Sequence, residues 1–157
     1  MAITYTNIFW NFVLDPLRDL IVSEYAYGDI YIAPSILHQV PFSIRLWGNS
    51  VDTLEYSDEA NLRQHNIEVV LYMMENNPGE EFYKQFFNDG ERLHQLLFEN
   101  KETSTTSTNS AGTSITRSWF DGTVVSMDIN DLAGGEEDIE GLHSITCNFN
   151  CKLLGVE

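Results

Sequence analysis

The stretch "VPFSIRLWGNSVDTLEYSDEANLRQHNIEVVLYMM", residues 40–74, decides how this chain folds. Its first third alternates Val40, Phe42, Ile44 and Leu46 with Ser43 and Arg45, the period-two pattern of a half-buried strand. Gly48 and Asn49 then read as a turn that closes this strand. Beyond it Val51, Thr53 and Glu55 fall on one face of a second strand, with Leu54 and Tyr56 on the other. The polar run "SDEANLRQ", residues 57–64, reads as a connection, and "HNIEVVLYMM", residues 65–74, is apolar on both faces, as a central strand is.

Working outward, the chain upstream opens with a helix starting at Ile8, capped by Thr6 or Asn7, with Phe9, Phe12, Val13, Leu17, Leu20 and Ile21 at near-helical spacing. Pro16 interrupts the pattern, while Asp15 and Pro16 together make a good restart, so either one kinked helix or two abutting helices are expected, ending near Tyr25. "DIYIAPS" adds a short extended piece stopped by Pro34. Downstream, a second helix opens at "NNPGEEFYKQ", with Asn77 as its cap, Pro78 in the first turn and Glu80 and Glu81 near its positive end. Phe82, Phe86, Leu93, Leu96 and Leu97 form its buried stripe. Gly90 inside that stripe costs about 1 kcal/mol relative to Ala, and marks either a break or a close approach of another backbone.

Two more strands follow. Val125, Met127 and Ile129 alternate in one, and His143, Ile145, Cys147, Phe149, Cys151 and Leu153 alternate in the other, with the acidic, turn-rich "DLAGGEEDIEG" between them as an antiparallel hairpin connection. The order is helix, three or four strands, helix, two strands. It predicts a single α+β domain over residues 1–157, with a largely antiparallel β-sheet and two main helices packed on one face.

Length and composition agree with one soluble globular domain: 157 residues, 43% hydrophobic and 12% aromatic. No apolar run approaches the roughly 20 residues of a membrane helix, and the opening "MAITYTNIFWNF" lacks the basic start and cleavage site of a signal peptide, so synthesis and retention in the cytoplasm are expected. The 24 acidic residues outnumber the 8 basic ones for a formal net charge of −16. A generic nucleic-acid binder is disfavoured, because phosphate contacts need clustered Lys and Arg and here the cations are scattered. Such a charge either serves solubility or makes a surface past which DNA moves without sticking.

Candidate chemistry is sparse. Cys147 and Cys151 are four residues apart on one strand, about 13 Å at ~3.3 Å per residue, too far for a disulfide with each other, and are expected as free thiols on the inner face. Glu91 and His94 have the helical spacing of a carboxylate-bridged metal site, but the second pair that such a site needs is missing. "DINDLAGGEEDIE" has the acidity of a calcium loop, yet Leu132 and Ile139 stand at the fifth and twelfth positions, where oxygen ligands belong. His38, His65, His94 and His143 fall in different elements without a local partner. No nucleophile elbow, phosphate-binding glycine loop or C-x-x-C pair occurs. The expectation is a protein that is not an enzyme and carries no cofactor or metal.

One segment fits neither core nor catalysis: "ETSTTSTNSAGTSITRSW", residues 102–119. It has one large apolar residue, Ile115, before Trp119, and reads as a mobile loop or arm.

In layout the chain resembles the tail-terminator, or tail-completion, proteins of long-tailed bacteriophages. The resemblance rests on the opening helix "NIFWNFVLDPLRDLI", the hairpin around residues 40–57, the strand "IEVVLYMM", the helix "EEFYKQFFNDGERLHQLLF" and the closing hairpin that ends "HSITCNFNCKLLG". It implies a virion protein of the tail or neck, a homo-oligomeric ring, commonly a hexamer, that caps the tail tube and joins it to the head connector while genomic DNA passes through. On that reading residues 102–117 are an arm ordered against a neighbouring subunit, with Thr103, Thr105, Thr106, Thr108, Thr113, Ile115 and Arg117 at the interface and Trp119 anchoring the arm in the core or at the subunit boundary. The loop from Asp128 to Glu140, with Asp128, Asp131, Glu136, Glu137, Asp138 and Glu140, faces the channel. The alternatives are another oligomeric phage adaptor, such as a head-tail connector or tube-like subunit, and a small-ligand-binding protein or enzyme.

Overall fold

The computed structural model describes residues 2–26, 29–34, 41–57, 60–132 and 141–156, and for residues 131, 132, 155 and 156 the backbone alone. A π-helical turn, Trp10–Leu14, runs directly into helix α1, Asp15–Glu24. The Asn7 side chain accepts the Trp10 N–H at 3.3 Å, and Pro16, which has no N–H to give, falls where the hydrogen-bond register changes. The interruption is therefore absorbed by a widened turn within one continuous helical run, which ends at Tyr25 as expected.

Strand β1, Asp29–Ile32, is followed by β2, Phe42–Tyr56, and β3, Ala60–Met74. Here the reading of Gly48-Asn49 as a turn is corrected: β2 continues through it, with register shifts at Gly48/Ser50 and Thr53/Glu55. The reversal lies at Ser57, whose N–H and hydroxyl both donate to the Ala60 carbonyl at 2.9 Å. Residues 60–64, expected in a connection, are the first five of β3. Gly48 serves packing instead: the Phe9 ring lies where a side chain at position 48 would stand.

Helix α2, Glu80–Glu99, begins at Gly79 without a side-chain cap, so neither Asn77 nor Pro78 lies in it. It is unbroken at Gly90, and what comes close there is the Ile145 side chain rather than backbone. Strands β4, Thr103–Thr108, β5, Ser114–Leu132, and β6, Leu142–Val156, complete a six-stranded sheet in the order β1-β2-β3-β6-β5-β4. The β1–β2 pair is parallel and the others are antiparallel, so the sheet is largely antiparallel in an α+β fold.

Both helices lie on one face. Their buried residues Phe12, Val13, Leu17, Ile21, Phe86, Leu93 and Leu97 form one core with the inward side chains of the sheet, among them Ile44, Leu46, Ile67, Val69, Leu71, Ile145, Cys147, Phe149, Cys151 and Leu153. A bulge between Val124 and Ser126 shifts the alternation of β5, so Val124 and Met127 pack on the core while Val125 is exposed. The two helices are also tied at their ends: the Tyr25 hydroxyl donates to the Asp89 carbonyl at 2.9 Å, and Arg92 donates to the side chain and carbonyl of Glu24, both at 2.7 Å.

Candidate functional site

The alternation that fills the core leaves a second sheet face without a helix among the described residues. It is built from Trp47, Ser50 and Asp52 of β2, Gln64, Asn66 and Glu68 of β3, Thr146, Asn148, Asn150 and Lys152 of β6, and Thr123, Ser126, Asp128 and Asn130 of β5. These side chains hold one another across strands. Asn66 Nδ2 donates to Ser50 Oγ at 2.9 Å and to Asp52 Oδ2 at 2.8 Å, and Gln64 Nε2 donates to Asn66 Oδ1 at 3.2 Å. Asn148 Nδ2 donates to Ser126 Oγ at 2.9 Å and to Asp128 Oδ2 at 3.4 Å. The two described cations on this face are both paired with carboxylates. Arg45 bonds Glu68 at 2.6 Å, with Tyr72 accepting from its Nε at 3.0 Å, and Lys152 meets Asp121 at 3.3 Å. The face is thus a field of amides, hydroxyls and carboxylates, closed at one end by a small apolar cluster of Val70, Tyr72 and Leu142.

Of the expected channel residues, Asp128 stands exposed on this face, in strand β5 opposite Thr146 rather than in a loop. Asp131 is also within β5, since the strand runs to Leu132, while its side chain and Glu136, Glu137, Asp138 and Glu140 lie outside the described residues. Sequence reading missed Asp52 and Glu68, because only the register of β2 on β3 and β6 on β5 brings them onto one face with Asp128.

The Ser/Thr segment is a β-ribbon. β4 pairs with the first part of β5 from Thr103↔Trp119 to Thr108↔Ser114. Its turn has a specific chemistry: Asn109 Oδ1 accepts the N–H groups of Ala111 and Thr113, each at 2.9 Å, and Gly112 takes φ +82°, which glycine adopts without strain. Thr103, Thr105, Ser107, Ile115, Arg117 and Trp119 point inward, and Ser104, Thr106, Thr108, Ser114, Thr116 and Ser118 point to solvent. Thr113 is exposed in the turn. The segment expected as a mobile loop or arm pairs as a ribbon within a single chain, and the missed signal was "NSAGT" between two alternating hydroxyl runs. Trp119 is buried in the core, its ring edge-on to Phe149 and its Nε1–H donating to the Asn100 carbonyl at 3.1 Å.

The residues considered for chemistry are dispersed. Among the described residues no three His, Cys, Asp or Glu side chains converge on a metal-sized site. Glu91 is exposed and His94 half-buried on α2, and His38 lies outside the described residues. His65 is fully buried against the Phe9 ring at 4.7 Å, and desolvation, helped by Arg63, lowers its pKa to about 4. His143 sits among Phe82, Tyr83 and Phe86, with Nε2 3.2 Å from the Glu75 carbonyl. Cys147 and Cys151 are free and buried, and burial pushes both thiols up to about 12. Among the described residues no helix is long and apolar enough to cross a membrane. No protein-family model matches the chain, and no curated protein matches it.

Proposed function

We propose that this chain is a ring-forming structural subunit of a bacteriophage neck, a tail terminator that caps the tail tube and joins it to the head connector. The observation that carries the reading is the division of the sheet into a helix-covered face and an open face of amides, hydroxyls and carboxylates. Turned toward a channel, that face presents Asp52 and Asp128 to passing DNA, with Arg45 and Lys152 already neutralised by Glu68 and Asp121. Phosphates are repelled at close range and find no cluster of Lys and Arg to hold them. The net charge of −16 supports the same reading. In this role the protein works as part of the virion, without catalysis or cofactor. Its partners are other copies of itself, the tube protein and the connector.

The test is light scattering and negative-stain imaging of the purified chain, alone and mixed with tail tubes. A ring of about six copies seated on one end of each tube is expected. A chain that stays monomeric at every concentration and leaves tube ends bare overturns the reading.

A further inference from the structure

The molecule holds a sheet edge without a strand and a strand-prone segment without a sheet. Among the described residues β4 is the last strand of the sheet, paired only to β5. Counting back in register from the bond between the Asn109 N–H and the Thr113 carbonyl, the backbone groups of Thr103, Thr105 and Ser107 turn to β5. Those of Ser104, Thr106 and Thr108 turn to the open edge, and among the described residues no backbone bond is recorded to them from outside the ribbon. Natural edges are commonly blunted by Lys, Pro, a bulge or a covering loop, and β4, "TSTTST", has no charge, no proline and no register shift.

The strand-prone segment is Ala2–Asn7, "AITYTN", which lies outside helix and strand ahead of the π-helical turn. Ile, Thr and Tyr favour strands, yet Ile3 is 79% and Tyr5 57% exposed. Tyr5 is held at the tip of its own ribbon by two bonds with Ser110, at 2.9 Å and 2.8 Å.

We infer that Ala2–Asn7 of one copy adds as a strand to the open edge of β4 in a second copy. The two segments match in length, six residues each. The arm brings no acid to this edge: residues 2–14 carry no charged side chain and residues 103–120 a single charge, Arg117, so the carboxylates near β4 are its own copy's Asp15 and Asp19, which line a hollow with Thr103 and Thr105. Two chains of net charge −16 therefore meet here without placing carboxylate against carboxylate. Main-chain bonds supply the affinity, and burial of Ile3 and Tyr5 adds to it. The contact joins different surfaces of the two copies, so it propagates from subunit to subunit and closes as a ring where the rotation allows. In this it rests on the ring reading and names the contact that builds the ring.

The experiment uses two variants of the full chain, one lacking residues 2–6 and one carrying Thr106→Pro, with Ser104→Lys/Thr108→Lys as a second edge-blocked form should the proline disturb the ribbon. Protection from amide exchange at Thr103, Thr105 and Ser107, whose backbone groups turn to β5, reports that the ribbon is intact. Each variant alone should sediment at one chain mass under conditions where the wild type is oligomeric, and an equal mixture should sediment at two. The mixture stops there because only one arm and one edge remain intact. In the wild-type oligomer, amide exchange at Ser104, Thr106 and Thr108 should slow by roughly tenfold or more relative to dilute monomer. If the armless variant forms the wild-type oligomer, strand addition is wrong while the ring reading stands. If it self-associates while the edge-blocked forms do not, the edge pairs with itself and the inference fails. A wild type monomeric at all concentrations overturns both.

Discussion

Gly90 of α2 rests directly on the Ile145 side chain of β6, in the space a Cβ would need. Gly90→Ala would raise helix propensity by about 1 kcal/mol, but the added methyl overlaps Ile145 Cδ1 in a core where Ile145 is fully buried. Overpacking costs about 1–3 kcal/mol, so a net loss of up to about 2 kcal/mol is expected by urea unfolding. Ile145→Val removes the overlapped methyl and should recover part of that loss in the Gly90→Ala background, although it costs about 1 kcal/mol in the wild type. Simple additivity of the two changes would show that the contact does not limit α2.

Trp119 and the ribbon it terminates should separate cleanly in stability. Trp119→Ala empties a buried core site and strands the Asn100 carbonyl, at a cost of about 3–5 kcal/mol. Replacing residues 104–117 with a short Gly/Ser loop removes one large apolar side chain, the half-buried Ile115, and should cost about 1 kcal/mol. Denaturation midpoints of the two variants check this, and equal losses would contradict it.

His65 gives the fold an acid sensitivity of calculable sign. Its folded pKa of about 4 lies below its ordinary 6.5, so the unfolded chain binds the extra proton first. This contribution is complete above pH 6.5 and is lost as the pH falls toward 4, amounting to roughly 2–3 kcal/mol. His65→Leu should flatten that part of the stability curve between pH 7 and pH 4. Parallel curves for variant and wild type would assign the acid loss to other groups.

Both thiols should be slow to react. Cys147 and Cys151 are buried and hold their protons to about pH 12, so at pH 8 almost no thiolate is present or accessible. Labelling by a thiol reagent should follow the global unfolding rate and accelerate with urea. Labelling within seconds in native buffer would place the thiols outside the core.

The open face should tolerate charge reversal. Asp52→Lys/Asp128→Lys alters two exposed positions, with small expected losses from the Asn66 and Asn148 bonds. The variant should keep the wild-type melting temperature within a few degrees and acquire salt-sensitive retention of duplex DNA. Wild-type indifference to DNA in the variant would argue against a face turned toward the channel.

The sequence by itself carried the elements whose signal is local. Alternation of Ile145, Cys147, Phe149, Cys151 and Leu153 marked β6 and its inward thiols, and the spacing of Phe86, Leu93 and Leu97 marked α2, because a buried stripe repeats with the period of its own backbone. Only tertiary structure decided the rest. Gly48 and Asn49 carry turn chemistry, but pairing with β3 resumes directly past a register shift at Asn49, and with the Phe9 ring against Gly48 this holds them in a strand. Val125 lost its place on the core to Val124 through a bulge that pairing with β6 defines. The hydroxyl-rich segment had no apolar period to read, since its order comes from cross-strand bonds and from Trp119 at its base. The open face likewise had no local signature: Asp52, Glu68 and Asp128 become neighbours through strand register, a property of pairing between distant segments rather than of any one of them.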